Sequence, residues 1–361
     1  MRVMCMYLPQ YHAFPENDEW WGKGYTEWVA VKRAKPLYNS HTQPKVPLDN
    51  RYYDLKSEAV ATWTWQAELA KKYKVYGFSV YQYYFKGKML MNSPLEVLRE
   101  HTEIDIKYNI CWANESWTRT WYGLSSQVLM AQEYGDEKDW HDHFDYLMKF
   151  FSDERYIKID NKPVLQIYRS FDIKKLDEML SCFNKWAKEK GFDGVYIVVG
   201  KTAADLEERK LADGYYYFEP GYTLKHDFSP INKLIYNASV FVKSTINKLI
   251  KDENKKILER SIAADKIYNA IEKREYAPNE YPGLIPDWDN TPRRSYKGLV
   301  YKGTSPEKFE RVLRTLNDKI PDDGFVYVNA WNEWGEGAFL EPDTRRKYAY
   351  LEAISRVAGC N

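Results

Sequence analysis

The sequence has little cysteine, no long apolar run and no excess of either charge. Its 361 residues include four cysteines, none in a C-x-x-C pair, which argues against a disulfide scaffold and a cysteine-based zinc site. No stretch approaches the roughly 18 consecutive apolar residues of a membrane-spanning helix. The first twelve residues also lack the apolar segment of a signal peptide. We therefore expect a cytoplasmic protein without a transmembrane segment.

Charge and aromatic content indicate the kind of ligand. Lys and Arg (53) balance Asp and Glu (52), so no basic field favours nucleic acid, and we expect no nucleic-acid partner. Aromatic residues make up 16% of the chain, with 13 Trp and 31 Tyr. Such side chains combine apolar area with a polar group, which suits the C–H faces and hydroxyls of sugars. An aromatic-rich core would explain the same composition.

Short β-rich runs alternate with helical ones along the chain. The predicted strands are residues 3–11, 75–84, 108–114, 163–168, 195–200, 214–218, 283–287 and 325–330. Alternation of this kind favours a buried parallel sheet, and eight units favour closure. The expected fold class is α/β, a (β/α)₈ TIM barrel formed by a single domain, residues 1–361. An open doubly wound sheet is the main rival, but no G-x-G-x-x-G follows the first strand.

Predicted helices cover residues 57–72, 140–151, 173–190 and 343–357. A further helical insertion, residues 225–276, is expected between strands six and seven. Two interpretations of this insertion are an element packed beside the barrel mouth and a lid over it. A basic amphipathic surface helix, which would allow peripheral membrane association, is the third interpretation.

Polar and aromatic side chains crowd the carboxyl ends of the predicted strands, where the active site of such a barrel lies. The opposite strand ends show no such crowding. The candidate substrate-binding residues are Gln10, Tyr11, His12, Trp28, Tyr81, Tyr83, Trp112, Asn114, Glu115, Trp117, Arg119, Tyr168, Arg169, Glu219, Asp287, Trp288, Asp289, Asn290, Trp331, Asn332 and Trp334.

Glu333 and Glu336 are the candidate catalytic residues. They are three residues apart at the end of the last strand, on a segment that Gly335 and Gly337 allow to turn tightly. Cleavage of an acetal needs a proton donor and a carboxylate, and two close carboxyls push each other's pKa values apart. The spacing alone does not tell which glutamate is protonated. A salt-bridged pair on a surface loop is the other interpretation.

Other polar residues suit binding better than catalysis. Asp287, Asp289 and Glu219 could hold a divalent cation through oxygen ligands, but hydrogen bonds to sugar hydroxyls are the preferred interpretation. Arg119 and Arg169 could bind a phosphate or a carboxylate, or pair with a nearby Glu. We predict no metal and no cofactor.

Long motifs resemble the WbsX-like family, which is associated with bacterial capsule and O-antigen loci and has carried the label glycosyltransferase. The strings are YLPQYH (residues 7–12), PENDEWWGKGYTEW (15–28), WANESWTR (112–119) and PDWDNTPRR (286–294). The resemblance implies a role in the metabolism of a surface polysaccharide such as lipopolysaccharide.

The string NEWGEGAFLEP (residues 332–342) is similar to the catalytic segment of glycoside hydrolase family 99, which usually has His at the position of Gly335. That family comprises retaining endo-α-mannosidases on a (β/α)₈ barrel without a metal. The resemblance implies that Glu333 assists the sugar 2-hydroxyl as an internal nucleophile through a 1,2-anhydro intermediate. Glu336 would then be the general acid/base.

Three functions are compatible with these features. The preferred one is hydrolase-type cleavage or transglycosylation of a bacterial surface polysaccharide or its precursor. A glycosyltransferase is the alternative, although no doubly wound nucleotide-binding half is recognisable. A glycan-binding barrel without catalysis would keep the aromatics but would not need both glutamates.

Overall fold

The computed structural model describes residues 1–118, 128–205 and 208–358. Its centre is a barrel of parallel strands, and every strand is buried along most of its length. The barrel strands are β1 Arg2–Tyr7, β2 Gly77–Phe85, β3 Lys107–Trp112, β4 Lys162–Ile167, β5 Tyr196–Lys201, β6 Gly214–Tyr217, β7 with its two parts Glu280–Tyr281 and Gly283–Leu284, and β8 Phe325–Val328.

The barrel closes through β7, which Pro282 divides into two parts. Glu280–Tyr281 pairs with β6, and Gly283–Leu284 pairs with β8. Pro282 itself accepts a hydrogen bond from the backbone of Tyr327 at 2.8 Å. The remaining pairs join each strand to the next, and β8 pairs with β1. The predicted (β/α)₈ class is confirmed, because eight parallel strands form a ring with helices between them.

Helices follow the strands and cover the barrel. They are α1 Pro15–Trp21, α2 Glu27–Arg33, α3 Ala59–Lys72, α4 Ser93–Glu100, α5 Glu137–Phe151, α6 Leu176–Glu189, α7 Pro230–Leu249, α8 Ala264–Lys273, α9 Thr291–Arg294, α10 Pro306–Asn317 and α11 Ala349–Ala358. Local sequence explains several of their starts: Asp136 forms a capping box at α5, and Ser305 caps α10 ahead of Pro306. None of the described helices has the length and apolarity needed to cross a bilayer.

Several short strands lie outside the ring of barrel strands. Lys88–Leu90 pairs with β2, Lys158–Ile159 pairs with β4, and three further pairs form small separate sheets. These pairs are Trp117–Thr118 with Val128–Met130, Arg260–Ala263 with Leu299–Lys302, and Asn332–Glu333 with Ala338–Phe339.

The predicted strand boundaries differ from the structure mainly at the site. The first strand, predicted at residues 3–11, ends at Tyr7, and the eighth, predicted at 325–330, ends at Val328. In both cases the chain leaves the ladder so that polar side chains can face the barrel mouth. Residues 225–276 contain α7, the strand Arg260–Ala263 and α8, so this stretch is not helical throughout.

Large aromatic side chains fill the core between the barrel and its helices. Tyr7 stacks on Trp63 of α3 with ring centroids 4.3 Å apart, and Phe78 contacts Trp331 at 4.7 Å. All four are buried. Since buried rings each remove a large apolar area from water, part of the high aromatic content is used for stability and not for ligand binding.

Closure at β7 requires Gly283, and this can be tested. A Cβ at this position would lie 1.9 Å from the carbonyl oxygen of Tyr217, so the strands would have to separate. Gly283→Ala should lower the free energy of unfolding by about 3 kcal/mol, measured by urea denaturation. At Gly221 an added Cβ would meet nothing closer than 3.8 Å, so Gly221→Ala is the control. Equal stability of the two variants would contradict the tight closure.

Candidate active site

The segment that follows β8 forms a tight β-hairpin at the barrel mouth. Asn332–Glu333 pairs with Ala338–Phe339, and a 3₁₀ turn Trp334–Glu336 joins them. The side chain of Asn332 accepts from the amide of Leu8 at 2.8 Å and donates to the Leu8 carbonyl at 3.0 Å. The hairpin is therefore tied to the end of β1.

Glu333 and Glu336 both line one cavity of about 270 Å³ at this end of the barrel. Side chains from or after seven of the eight strands surround it, β5 being the exception. The lining residues are Leu8, Gln10, Tyr81, Tyr83, Ala113, Glu115, Tyr168, Phe218, Trp288, Asn290, Arg293, Arg294, Glu333 and Glu336.

One arginine holds the two glutamates in place. Nη2 of Arg293 lies 3.0 Å from an oxygen of Glu333, and Nη1 lies 2.7 Å from Glu336. The same guanidinium contacts Glu27 of α2 through Nη2 at 3.0 Å and Nε at 3.1 Å. Glu27 is wholly buried, and its charge therefore needs this partner. Arg293 thus binds three carboxylates from two separate segments, α2 and the hairpin after β8.

Gly335 makes room for this ion cluster. A Cβ there would lie 2.0 Å from Oε2 of Glu27 and 2.8 Å from Nε of Arg293. Any larger residue would displace the Glu27–Arg293 pair. The departure from the His that family 99 usually has at this position therefore has a physical reason in this chain.

The environment raises the pKa of both glutamates. For Glu333 burial is the main cause, and the negative charges of Glu336 and Glu27 add to it, while Arg293 acts in the opposite direction. Burial likewise raises the pKa of Glu336, again opposed by Arg293 and reinforced by Glu27. The side chain of Glu336 is the more exposed of the two, 23% against 9%. The pair can therefore hold a proton at higher pH than free carboxyls do.

Several of the predicted binding residues line this cavity. They are Gln10, Tyr81, Tyr83, Glu115, Tyr168, Trp288 and Asn290. Tyr81 and Tyr83 belong to β2, and the other five follow the ends of β1, β3, β4 and β7. Arg169 does not line the cavity itself. It pairs with the lining residue Glu115 at 3.2 Å and with Asp172 at 2.9 Å.

Other predicted residues support the hairpin and do not line the cavity. Tyr11 donates its hydroxyl to the carbonyl of Asn332 and accepts from the amide of Trp334. Trp334 stacks on Phe339 at 3.7 Å and contacts Trp28 at 5.4 Å. Together with Trp331, these residues form the packed layer under the hairpin that carries Glu333 and Glu336.

Glu341 is the centre of this layer. Its carboxylate accepts hydrogen bonds from the indoles of Trp331 at 3.0 Å and Trp334 at 2.6 Å, from Gln66 at 2.7 Å, and from Tyr53. Burial raises the pKa of Glu341 to about 7, although these donors oppose the shift. A buried carboxylate thus fixes the two tryptophans on either side of Glu333.

Asp287 and Asp289 do not line the cavity that Glu333 and Glu336 line. They line a second cavity of about 370 Å³, and only Trp288 between them lines the first. Asp287 pairs with Lys45 at 3.0 Å, and Asp289 contacts His41 at 2.8 Å. Burial alone would raise the pKa of Asp289, but His41, Lys45 and a hydrogen bond from Thr291 lower it to about 2.

The remaining predicted residues are placed outside the first cavity. Glu219 is buried in an ion pair with Arg274 at 2.9 Å, and Asn114 donates to the carbonyl of Arg169 at 2.8 Å. Trp112 donates to the carbonyl of Tyr84. Trp117 packs behind Tyr83 with ring centroids 5.3 Å apart.

His12 lies away from the first cavity, and Arg119 cannot be placed. His12 lines a separate cavity of about 230 Å³. Arg119 lies outside the described residues. Within the described ranges, no group of three or more His, Cys, Asp or Glu side chains is arranged to hold a metal ion.

Sequence reasoning missed four charged residues in and under this site: Glu27, Arg293, Arg294 and Glu341. All four lie in motif strings that had already been recognised, residues 15–28, 286–294 and 332–342. A buried ion cluster joins residues that are far apart in the chain, so it produces no periodic pattern within any one string. The signal that could have found it was the presence of these charged residues in the same motif strings as the predicted site residues.

Solved structures share this architecture. A "Glycoside hydrolase-like protein" superimposes with a TM-score of 0.57 at 11% identity, covering 98% of this chain and 93% of the other. The GH99 endo-alpha-mannosidase from Bacteroides thetaiotaomicron gives a TM-score of 0.53 at 12% identity, with 99% and 96% covered. At such identity these likenesses show the fold.

Sequence relatives give the family. The family model Glycosyltransferase WbsX matches residues 3–354. The uncharacterized protein WxcX of Xanthomonas campestris pv. campestris strain B100 is 32% identical over 360 residues, and its counterpart in strain ATCC 33913 is 32% identical over 358 residues. The matches cover 97% of this chain and 48% of each relative, so the chain spans about half the length of these curated relatives.

Fold and family together define a carbohydrate-active enzyme. The mouth of its barrel carries two clustered glutamates in an aromatic cavity. The chain belongs to the WbsX glycosyltransferase family.

The anchoring role of Glu341 can be tested by stability. In Glu341→Gln an amide NH₂ group would replace one of the two acceptor oxygens. It would face N–H or O–H donors that now bond to Glu341, and at least one of these donors would lose its hydrogen bond. The free energy of unfolding should fall by about 2–3 kcal/mol, measured by urea denaturation at neutral pH. Glu352→Gln, at an exposed position of α11, is the control. If both variants unfold at the same urea concentration, Glu341 does not anchor the tryptophans.

Proposed function

We propose that this enzyme breaks a glycosidic bond of a bacterial surface polysaccharide or its precursor, with Glu333 and Glu336 as the catalytic carboxylates. Water or another sugar hydroxyl then takes the glycosyl group. The observation that carries the proposal is the bridge of Arg293 to both glutamates inside one aromatic-lined cavity.

The charges of the cluster support a shared proton. Three carboxylates, Glu27, Glu333 and Glu336, face Arg293, and the charge of Arg294 also acts on Glu336. Two positive charges and three carboxylates leave one negative charge, which a single proton on the pair neutralises. One glutamate can then act as an acid while the other remains a carboxylate.

The two roles are those that the resemblance to glycoside hydrolase family 99 implies. Glu336, the more exposed glutamate, donates its proton to the leaving oxygen as the bond to the anomeric carbon breaks. Glu333, deeper in the cavity, takes the proton of the sugar 2-hydroxyl while that oxygen attacks the anomeric carbon. In the second step Glu336 removes a proton from the incoming hydroxyl, which opens the anhydro ring, and Glu333 returns its proton to the 2-oxygen. Configuration is retained because the anomeric carbon inverts twice.

The cavity wall suits a saccharide. Tyr81, Tyr83, Tyr168 and Trp288 offer rings on which sugar C–H faces can pack, while Gln10 and Asn290 offer amide groups for hydroxyls. The cavity has a volume of about 270 Å³ and lies at the barrel mouth, so the rest of a long saccharide chain would extend out of it.

The family description favours one other candidate, a glycosyltransferase that uses an activated sugar donor. The two functions differ in their need for that donor. A hydrolase or transglycosylase acts on an oligosaccharide alone, whereas a transferase extends its acceptor only when the donor is added.

The first test uses Glu336→Gln. Purified protein with a chelator should cleave or rearrange at least one member of a panel of mannose-containing and capsule-derived oligosaccharides, followed by mass spectrometry. The variant should lose turnover by on the order of 10²- to 10⁴-fold, because it has no proton to donate. Its oligosaccharide affinity, measured by calorimetry, should stay within a few-fold.

Glu19→Gln is the matched control, since Glu19 is exposed on α1. An aryl glycoside with a good leaving group should restore activity to Glu336→Gln but not to Glu333→Gln, because only the acid becomes dispensable. Product formation that requires a nucleotide sugar would instead establish the transferase. Binding without turnover by the unaltered protein would mean a glycan-binding barrel.

The pH dependence of activity provides a second test. The negative charge of Glu27 raises the pKa of Glu333 and Glu336, so it keeps the catalytic acid protonated at higher pH. In Glu27→Gln that charge is absent, and the alkaline limb of the pH–rate profile should move to lower pH. An unmoved limb would show that Glu27 has no electrostatic effect on the pair, and Glu19→Gln again serves as control.

A further inference from the structure

Helix α7 exposes its apolar side to solvent and turns its polar side towards the protein. Six large side chains on it are each more than half exposed: Ile231 (71%), Leu234 (69%), Ile235 (56%), Phe241 (72%), Val242 (55%) and Leu249 (81%). In the rest of the described chain only Val128 and Phe171 are as exposed among large apolar residues. Their spacing of three, four and seven residues places these six side chains on one stripe, the α7 apolar face.

The opposite side of α7 is held by polar contacts. Asn247, the buried residue of the helix, donates to the carbonyl of Ile257 at 2.8 Å and accepts from its amide at 2.9 Å. Asn232 accepts from Lys266 at 3.1 Å, and Lys233 donates to the carbonyl of Lys225 at 2.7 Å. These bonds fix the orientation of the helix, so the α7 apolar face cannot be buried by a simple rotation without breaking them.

The charge of this segment has one sign. Residues 228–251 contain Lys233, Lys243, Lys248 and Lys251 and no Asp or Glu. An apolar stripe on a lysine-bearing helix without acidic residues is typical of helices that lie in the interface of an anionic bilayer. Each lysine near such a surface adds attraction that salt weakens.

The position of α7 relates it to the cavity. The helix belongs to the loop after β6, so it lies at the end of the barrel where the cavity opens. Asn247 also donates to Glu259 at 3.2 Å, and the next residue, Arg260, is close enough to Arg294 of the cavity wall to act on its charge. A surface bound by α7 would therefore lie beside the cavity mouth.

We propose that the α7 apolar face docks this enzyme onto an anionic lipid surface, with its six apolar side chains in the interface and the exposed Lys248 and Lys251 among the headgroups. The proposal stands on the exposure, orientation and charge of α7 and does not depend on the glycosidic chemistry. Its consequence for function is that the cavity would open next to the membrane, where saccharides carried by lipids are found.

The test is co-sedimentation of the purified chain with vesicles of phosphatidylglycerol and phosphatidylcholine. The protein should partition onto mixed vesicles, bind pure phosphatidylcholine more weakly, and be released as NaCl rises from about 0.1 M to about 0.5 M. Leu234→Ser/Phe241→Ser should lower the partition coefficient at least about tenfold, because two large apolar side chains no longer enter the interface.

Val60→Ser is the control, since Val60 is an exposed apolar residue on α3, and its partition should equal that of the unaltered chain. Thermal unfolding of all variants verifies the fold. Equal partition of Leu234→Ser/Phe241→Ser and the unaltered chain would overturn the proposal. So would a dimer in analytical ultracentrifugation that the double variant converts to monomer without any vesicle binding, because the α7 apolar face would then bind a second copy.

Discussion

Arg293 joins three carboxylates that come from distant parts of the chain, and the geometry of the barrel mouth depends on this contact. Glu27 belongs to the first βα loop, Arg293 to the seventh and the two glutamates to the eighth. Because buried charges are tolerated only when they are paired, the three loops must meet in one arrangement. The close approach also explains Gly335, whose missing side chain leaves the space that Glu27 and Arg293 occupy.

The buried carboxylate of Glu341 supports the hairpin after β8 from the side of the protein core. Glu341 accepts from Trp331 and Trp334, and Asn332 is bonded to the end of β1. Trp331, Asn332 and Trp334, which flank Glu333 in the sequence, are therefore each held by a hydrogen bond to a buried partner. Such support holds the side chains of the candidate site in place through Glu341 and Asn332, which do not line the cavity.

The aromatic residues divide between two tasks. Tyr81, Tyr83, Tyr168 and Trp288 line the cavity, whereas Trp28, Trp112, Trp331 and Trp334 are packed in the protein. The packing interpretation of the high aromatic content holds for the second group, and sugar binding by the first group stays a prediction. Residues 225–276 likewise contain more than one kind of element, and the most unusual of them is α7, which presents its apolar stripe to solvent.

The sequence by itself determined the barrel and its strand order, and it predicted a candidate site at the carboxyl ends of the strands. These features rest on local periodicity and on the rule that parallel strands end on one face, so they can be read one segment at a time. The adjacency of Glu333 and Glu336 was readable for the same reason.

Only the tertiary structure decided which polar side chains meet. Asp287 and Asp289 flank Trp288, yet they face a second cavity, because neighbouring side chains on an extended segment point to opposite sides. The pairing of Glu27 with Arg293 spans 266 residues, and no local pattern encodes a contact between residues so far apart in the chain. Side-chain direction and long-range ion pairing arise from packing, and packing exists only once the ring of strands has closed.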